Sequence, residues 1–281
     1  MDRPLRIGVN ALYLIPGRVG GAEIYLRQLL EALAELDGFN RYYVFLNQET
    51  LLGGAPLTPY APNFEPVECP VRAVRRPWRL LWEQTALPLA ARRLRLDVLF
   101  SPGFTSPVLC PCAKVTVIHD LQHKRRPRNF GRLELLAWRA TVWASARFSR
   151  EIVTVSENSR RDILEVYRLD PERVHVIGHG VEPELLAPRP AQSPEPWPYL
   201  LSVSTLHAHK NWERWLEAYA RLVAEGFPHH LVIAGLRGNY AAELERVIAA
   251  KGLTERVELL GWAPRPRLRE LLQHAAALVF P

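Results

Sequence analysis

The amino-acid sequence predicts an α/β protein with two domains, each built on a parallel β-sheet covered by helices, the second domain being incomplete. Short apolar segments typical of buried strands alternate with segments of helical periodicity along the whole chain. A length of 281 residues is enough for two domains. A proline-rich stretch, residues 182–198, separates the predicted domains 1–181 and 199–281 and has the composition of a semi-rigid linker.

The first domain opens with a strand, a glycine-rich turn and a helix. Arg6–Ala11 reads as the strand, Pro16–Gly21 is rich in turn residues, and Ala22–Leu36 carries apolar residues at helical spacing. This order is typical of nucleotide-binding α/β domains, but the glycines do not fit the G-x-G-x-x-G fingerprint, which disfavours a dinucleotide oxidoreductase. Gly20 and Gly21 either allow a phosphate or sugar to approach the helix N-terminus or serve only the turn.

Strands and helices continue to alternate along the rest of this domain. Helical patterns cover Trp78–Leu94, which Pro88 should kink or interrupt, and Gly131–Phe148. The predicted strands are Tyr42–Leu46, Val67–Val71, Val98–Phe100, Val115–Ile118, Ile152–Val155 and Val174–Ile177. Such alternation predicts a parallel sheet covered on both faces, with ligands bound at the carboxyl ends of its strands.

Two of these strand ends carry polar groups. His119 and Asp120 directly follow a strand, so the imidazole should emerge at the edge of the sheet where sites form. His119 either contacts a substrate or is a buried structural histidine, and Asp120 either orients it or caps the next turn. Ser156, after the next strand, has the pattern of a helix N-cap.

The second domain is predicted to begin at Tyr199. Its elements are strand Tyr199–Val203, helix Trp212–Glu225, strand His230–Ala234, helix Tyr240–Lys251, strand Val257–Leu259, helix Arg265–Ala276 and strand Ala277–Phe280. Because the sequence stops within what reads as the fourth strand, we expect the chain to be a fragment.

Lys210 lies in the predicted connection between the first strand of this domain and the helix that follows it. A helix N-terminus offers unpaired N–H groups and the positive end of its dipole, and an added ammonium makes the place suited to phosphate. The chain has four lysines against 32 arginines, so a generic surface cation here would be expected to be arginine. The alternative is a solvated lysine near a helix start.

Charge is distributed unevenly along the chain. Residues 1–181 hold 25 Lys/Arg and 18 Asp/Glu, whereas residues 182–281 hold 11 of each, so the whole net charge of +7 belongs to the first domain. Two clusters stand out, one of Arg72, Arg75, Arg76, Arg79, Arg92, Arg93 and Arg95 beside the single acid Glu83, the other of Lys124, Arg125, Arg126, Arg128 and Arg132. They indicate either an anionic partner, such as a membrane surface or a phosphorylated lipid, or an ordinary solvated surface. The sequence lacks the interleaving of aromatic and basic residues expected of a nucleic-acid binder.

No run of apolar residues approaches a membrane span, and the N-terminus leads straight into a strand, so we expect a cytoplasmic protein. The three cysteines fit this location. Cys69 is isolated, and Cys110 and Cys112 flank a proline without a second pair at zinc spacing, so they are interpreted as structural thiols.

Eight short motifs occur together in one order along the chain. They are Gly20–Tyr25 (GGAEIY), Trp82–Pro88 (WEQTALP), His119–Asp120, Val155–Ile163 (VSENSRRDI), Val176–Val181 (VIGHGV), Tyr199–Asn211 (YLLSVSTLHAHKN), Val232–Gly235 (VIAG) and Leu260–Ala263 (LGWA). In this order the chain resembles retaining glycosyltransferases of family 4, and within them the bacterial mannosyltransferase-type members that build cell-surface polysaccharides.

The resemblance implies the GT-B architecture, two Rossmann-like domains that face each other across a cleft, and assigns roles to individual residues. His119 and Lys210 would be catalytic, with His119 beside the donor sugar and Lys210 neutralising the leaving diphosphate. The residues implied to bind the nucleotide-sugar donor are Gly20, Gly21, Ser204, Lys210, Gly235, Gly261, Trp262 and Ala263.

The resemblance also implies that the first domain binds the acceptor, with Asp120, Lys124, Arg125 and Arg126 in that role. The acceptor hydroxyl would attack from the face of the departing phosphate, which itself takes the proton. Neither a metal nor a cofactor is expected. The basic first domain would face a lipid-linked acceptor or an anionic membrane, at the inner face of which the protein would be peripheral.

Three positions depart from the family pattern. Ser204 replaces a glycine, His209 an arginine that often precedes the lysine, and His179 an asparagine. The family's pair of glutamates that hold the donor sugar and ribose would lie beyond residue 281, so we expect this chain to lack half of its donor site.

These features together predict a retaining hexosyltransferase that uses a nucleotide-sugar, with GDP-mannose preferred over a UDP-sugar, and transfers to a cell-surface glycan or lipid-linked acceptor. The alternative function is a non-catalytic protein that binds phospholipid or membrane through the basic first domain. A nucleic-acid partner is not expected.

Overall fold

The computed structural model describes residues 3–54, 56–125, 127, 131–181, 183–186, 188 and 193–280. The chain divides into two compact units, Met1–His179 and Gly180–Pro281, which are described in turn. Part of the predicted linker, including residues 189–192, lies outside the described residues.

The first unit contains a seven-stranded sheet in which every neighbouring pair of strands is parallel. Its strands are β1 (Arg6–Asn10), β2 (Arg41–Leu46), β3 (Phe64–Glu68), β4 (Val98–Ser101), β5 (Ala113–Val117), β6 (Glu151–Thr154) and β7 (Val174–Val176), in the order β3-β2-β1-β4-β5-β6-β7. The order reverses direction between β1 and β4, which is the doubly wound arrangement of a Rossmann-like domain.

Among the described residues of this unit, six α-helices accompany the sheet: α1 (Gly21–Leu36), α2 (Gln48–Leu52), α3 (Arg76–Arg93), α4 (Gln122–Arg125), α5 (Arg132–Phe148) and α6 (Glu157–Tyr167). Alternate residues of β2 point to opposite faces of the sheet. Val44 packs in one core cluster with Leu26 and Leu30 of α1, whereas Phe45 packs in another with Leu87 of α3. Both faces of the sheet are therefore covered, as strand–helix alternation predicts.

The second unit contains a four-stranded parallel sheet. Its elements are β8 (Tyr199–Val203), α7 (Trp212–Ala224), β9 (His230–Ala234), α8 (Ala241–Ala250), β10 (Val257–Gly261), α9 (Arg265–His274) and β11 (Ala277–Leu278). Alternation again divides the core: Leu200 packs with Trp212 and Leu216, whereas Leu201 packs with Leu271. The strand order β10-β9-β8-β11 reverses between β8 and β11, as in the first unit.

Two details of the first unit differ from the sequence prediction. The strand predicted at Val67–Val71 is formed by Phe64–Glu68 instead. It contains Pro66, which has no amide hydrogen to donate, and β3 accommodates it because β3 lies at the edge of the sheet. The helix predicted over Trp78–Leu94 runs from Arg76 to Arg93, so Pro88 does not interrupt it.

The short helix α2 was not predicted. Asn47 caps it by accepting a hydrogen bond from the Thr50 amide at 2.8 Å, and the Asn47 amide group donates to the carbonyls of Leu12 and Leu14. The segment that leaves β1 toward α1 is thereby tied to the end of β2. Among the described residues, no helix combines the length and the apolar character needed to cross a membrane.

Candidate active site

Ligands of doubly wound sheets bind at the carboxyl ends of the strands, where the strand order reverses. In the first unit this place lies between the ends of β1 and β4, and in the second unit between the ends of β8 and β11. The predicted site residues of each unit are therefore described against that edge of its own sheet.

His119 follows β5 and is half-buried at the carboxyl edge of the first sheet. Its Nε2 lies 3.2 Å from the carbonyl oxygen of Pro102, which follows β4. Burial lowers the pKa of His119, and the neighbouring His179 lowers it further, while the Pro102 carbonyl and Asp120 act in the opposite direction. Because a carbonyl can only accept, Nε2 carries the hydrogen, and a neutral ring then offers Nδ1 as an acceptor.

Aromatic rings surround this imidazole. The ring centroids of Tyr25, Phe104 and His179 lie 5.2, 5.3 and 5.9 Å from that of His119, and Tyr25 also contacts His179 at 5.2 Å. The sequence assigned no role to Tyr25 or Phe104, although Tyr25 closes the GGAEIY motif one helical turn after Gly21. His179, a departure from the family pattern, belongs to the same aromatic group.

Gly20 and Gly21 stand at the start of α1, at the same edge of the sheet. Gly20 has φ 59°, a left-handed conformation that favours glycine, and it caps α1 without a side-chain hydrogen bond. A Cβ added at Gly21 would meet no protein atom within 4 Å, so the packing of the chain does not require glycine there. Glu23 places a carboxylate in the first turn and accepts a hydrogen bond from the Gly17 amide at 2.7 Å, which closes the turn.

A buried polar network lies at the same edge. One carboxylate oxygen of Glu83, a residue with no exposed surface, is within hydrogen-bonding distance of Asn10 (3.3 Å), Arg79 (3.0 Å) and Thr105 (3.1 Å). It joins the end of β1, the helix α3 and the segment after β4 that also holds Pro102. The sequence analysis assigned no role to Asn10. A polar residue at the end of an apolar strand is a signal that could have pointed to this network.

The predicted acceptor residues that the structure describes contact other side chains of the first unit. Asp120 accepts hydrogen bonds from the backbone and side-chain amides of Gln122, so it caps the next turn. Arg125 pairs with Asp162 and with Glu165, and the Lys124 ammonium lies 6.0 Å from the ring of Tyr167. Arg126 lies outside the described residues. Residues 121–133 contain no acidic residue, and the carboxylate partners of Arg125 are distant in sequence and close in the fold.

The first basic cluster is also partly neutralised. Arg72 pairs with Glu49 and Arg76 with Glu134, each across a gap in sequence that charge counting could not bridge, whereas Arg79 pairs with Glu83 one helical turn away. Only the last of these acids was visible inside the cluster itself.

Lys210 lies at the switch point of the second sheet. It ends a 3-10 turn, Ala208–Lys210, and Asn211, in a left-handed conformation with φ 58°, leads into α7. The Lys210 ammonium is 4.9 Å from the ring centroid of Phe280, which follows β11. A cation thus sits between the carboxyl ends of β8 and β11, on the connection from strand to helix that the sequence predicted.

The loops after β8, β9 and β10 are joined to one another. Ser204 donates its amide hydrogen to Ala234, and Gly235 donates to the carbonyl of Gly261 at 2.7 Å. A Cβ at Gly235 would overlap the Ser204 carbonyl oxygen, so the close approach of these loops by itself accounts for glycine at this position. Gly261 has φ 73° and open space beside it.

The two residues after Gly261 differ in exposure. Trp262 is 56% exposed, whereas Ala263 is buried in the core cluster that contains Leu271. An exposed indole next to an open glycine can stack against a planar ligand, and Ala263 contributes to packing. Among the described residues, no group of three or more His, Cys, Asp or Glu side chains is placed to hold a metal ion.

Comparison with known proteins places these residues in two matched regions. The model of Glycosyltransferase Family 4 matches residues 19–185, and that of Glycosyl transferases group 1 matches residues 187–281. The chain is similar to the O-antigen chain mannosyltransferase RfbU of Salmonella typhimurium (24% identity over 164 residues, 58% of this chain and 44% of that protein). It is also similar to the alpha-D-kanosaminyltransferase of Streptomyces kanamyceticus (26% over 151 residues, 50% and 39%). The matched stretch therefore spans less than half the length of either relative.

Among solved structures, the fold is similar to that of WaaG, a glycosyltransferase involved in lipopolysaccharide biosynthesis. The TM-score is 0.67 at 17% identity, and the match covers 98% of this chain and 74% of that one. At this identity the likeness concerns the fold alone.

Proposed function

Because the chain belongs to Glycosyltransferase Family 4, whose model matches residues 19–185, we propose that it transfers a hexose from a nucleotide-sugar to a cell-surface glycan or lipid-linked acceptor. The proposed transfer retains the configuration at the reacting carbon. Two polar side chains at strand ends, one in each unit, carry the proposed chemistry.

The observation that carries the proposal is the position of Lys210. Its ammonium lies at the switch point of the second sheet, against Phe280, where such sheets bind ligands. When a glycosidic C–O bond to a diphosphate breaks, negative charge builds on the departing phosphate, and a fixed cation lowers the energy of that state more than it lowers the energy of the bound donor. The proposed role of Lys210 is that cation.

His119 is proposed to contact the donor sugar. Its Nε2–H is used by the Pro102 carbonyl, so the free acceptor is Nδ1, which suits a hydrogen bond from a sugar hydroxyl. A neutral ring held in an aromatic surround is also less repelled by an oxocarbenium-like carbon than an imidazolium would be. The lowered pKa of His119, caused first by burial, keeps the ring neutral at pH 7.

Gly20, Gly21, Ser204, Gly235, Gly261, Trp262 and Ala263 are proposed to complete the donor site of this chain. Open space beside Gly21 and Gly261 leaves room for a ligand, and the exposed Trp262 offers a face for the nucleotide base. The departing phosphate is proposed to accept the acceptor's proton, with no metal involved. For the sugar we favour mannose, carried by GDP, because RfbU is described as a mannosyltransferase.

The test is the substitution Lys210→Ala in this protein, assayed for transfer of labelled mannose from GDP-mannose and for binding of GDP by calorimetry. Loss of a group that stabilises transition-state charge should lower kcat by roughly 100-fold or more. Lys251→Ala, which removes an exposed lysine at the end of α8, is the matched control and should leave kcat unchanged. Circular dichroism should show both variants folded.

Unchanged turnover in folded Lys210→Ala protein would contradict the proposed role of this lysine. Transfer from a UDP-sugar but not from GDP-mannose would overturn the donor assignment alone, and absence of transfer from any nucleotide-sugar would overturn the proposed activity.

A second candidate function is favoured by one feature of the first unit. Four arginines, Arg3, Arg6, Arg93 and Arg95, line a concavity of about 600 Å³. Arg6 begins β1 and Arg95 precedes β4, so the concavity is at the amino edge of the sheet, opposite His119. Asp97 pairs with Arg3 and offsets one of the four charges. Such a surface favours binding to anionic phospholipid, either in place of catalysis or beside it.

A further inference from the structure

Two of the three cysteines are adjacent in space. The Sγ atoms of Cys110 and Cys112, which flank Pro111 in the segment between β4 and β5, are 3.4 Å apart and not bonded to each other. Both side chains are half-buried and pack against the core cluster that contains Cys69, while Leu109 and Pro111 beside them are exposed, so the pair lies close to the molecular surface. Cys69, by contrast, is buried and directs its thiol to the Val67 carbonyl.

The segment that carries the pair is held in place by the first unit. The buried Lys114 ammonium donates to the carbonyls of Pro107 and Val108, each at 2.7 Å. The Val108 amide donates to the side chain of Gln84 on α3 at 2.8 Å. Because neither end of the segment is loose, the two sulfur atoms are kept in contact and need only a small displacement to reach the S–S bond length of about 2 Å.

The contact between the two thiols shifts their pKa values in opposite directions. The hydrogen bond from the Cys112 thiol lowers the pKa of Cys110 to about 7, with the Cys112 amide and the Lys114 ammonium acting in the same direction and burial opposing them. The same interaction raises the pKa of Cys112. Near neutral pH a substantial fraction of Cys110 is therefore thiolate, while Cys112 stays protonated. Burial raises the pKa of Cys69 to about 12, which makes that thiol unreactive.

We propose that Cys110 and Cys112 form a redox-active dithiol that low-molecular-weight disulfides oxidise reversibly to an intramolecular disulfide. The Cys110 thiolate attacks a disulfide such as glutathione disulfide, forming a mixed disulfide and releasing one glutathione thiolate. Cys112 then gives up its proton to the solvent and attacks the Cys110 sulfur, which releases the second glutathione thiolate. Two protein thiols are oxidised and one glutathione disulfide is reduced to two thiols.

The test uses the full chain, reduced and then equilibrated without oxygen in glutathione buffers of graded redox potential. After alkylation and digestion with trypsin, cleavage after Arg95 and Lys114 places both cysteines in the peptide 96–114, apart from Cys69. As the buffer becomes more oxidising, we expect the dialkylated peptide to be replaced by an unalkylated peptide two hydrogen atoms lighter than the free dithiol, and treatment with a phosphine reductant before alkylation to restore the dialkylated form. Cys69→Ser should give the same titration.

The single variants Cys110→Ser and Cys112→Ser distinguish a pair of thiols that forms an internal disulfide from two thiols that react independently. Cys112→Ser should accumulate the mixed disulfide at Cys110, because no second thiol resolves it. Alkylation of Cys110 in the parent protein should follow a titration with a midpoint near pH 7, and this midpoint should rise in Cys112→Ala, which lacks the thiol donor. Stable glutathione adducts on the parent protein without an internal disulfide, or no reaction at all, would overturn the proposal.

Discussion

Gly235 illustrates what a single residue contributes to the candidate site. The sequence placed it in a donor-binding motif, yet its φ of 152° and the overlap that a Cβ would make with the Ser204 carbonyl already require glycine there. Gly21 is the opposite case, since a Cβ there would meet no atom within 4 Å beyond its chain neighbours and its own helix backbone, so packing does not require glycine. Two glycines that were predicted together as donor-binding residues therefore differ in whether packing explains them.

We predict that Gly235→Ala destabilises the chain by at least about 2 kcal/mol, because the methyl group meets a backbone oxygen that cannot move without breaking the loop junction. Gly252→Ala is the matched control. Gly252 also has a positive φ, 67°, but open space beside it, so only the backbone strain of about 1 kcal/mol applies. Urea unfolding followed by circular dichroism measures both, and equal destabilisation would refute the steric explanation.

At the scale of elements, α3 joins the core to the candidate site through its buried pair. Arg79 is 5% exposed and Glu83 is fully buried, and their side chains meet at 3.0 Å. Burial lowers the pKa of Arg79, which the carboxylate opposes. Because removing one partner would leave the other charge buried and uncompensated, the pair must be considered as a unit.

Glu83→Ala should therefore destabilise the protein by about 3 kcal/mol or more, and also release Asn10 and Thr105. In Arg79→Met/Glu83→Ala part of this loss should be recovered, giving a coupling energy on the order of 1–3 kcal/mol in a double-mutant cycle.

The control is an exposed ion pair at the start of the same helix, between Arg76 of α3 and Glu134 of α5. Glu134→Ala removes the exposed partner of Arg76, and the effect should stay below about 1 kcal/mol. Chemical denaturation of the parent protein, the two single variants Arg79→Met and Glu83→Ala and the double variant supplies the cycle. Additive effects of the two single substitutions would contradict coupling.

The charge of the whole molecule is concentrated in its first unit. Of the arginines in the two basic clusters, Arg72, Arg76, Arg79 and Arg125 have carboxylate partners, so the surplus is smaller locally than the sequence suggests. Part of the remaining surplus of positive charge lies in the arginine-lined concavity at the amino edge of the sheet.

We expect the chain to bind vesicles made of a mixture of phosphatidylglycerol and phosphatidylcholine. The double substitution Arg93→Gln/Arg95→Gln should weaken that binding. At about 1 kcal/mol for each basic residue near an anionic surface, the loss corresponds to roughly 30-fold in affinity. Sedimentation with vesicles at several salt concentrations measures it.

Arg214→Gln/Lys251→Gln removes two exposed charges from the second unit and is the control, expected to change binding by less than about twofold. Equal weakening by both double variants would show that net charge, and not the concavity, governs binding. No binding to anionic vesicles by the parent chain would dismiss this surface as a membrane contact.

Periodicity and local chemistry alone determined most elements of this protein. Tyr199–Val203 and His230–Ala234 were predicted with their observed bounds, because runs of apolar residues between turn residues are typical of buried parallel strands. The capping of α6 by Ser156, whose side chain accepts from the Ser159 amide, is equally local and was also predicted. The β3 strand was misplaced because an edge position, which only the sheet defines, decides whether Pro66 is tolerated.

The sequence by itself also determined the strand-to-helix positions of His119 and Lys210, since a residue's place after a strand follows from chain order. Only the tertiary structure decided their partners: Pro102 and Tyr25 for His119, Phe280 for Lys210. It likewise paired Arg125 with Asp162 and brought Asn10 to Glu83. The physical reason is that hydrogen bonds, ion pairs and ring contacts act over a few ångströms in space, whereas the residues that make these contacts lie 17 to 94 positions apart in the chain.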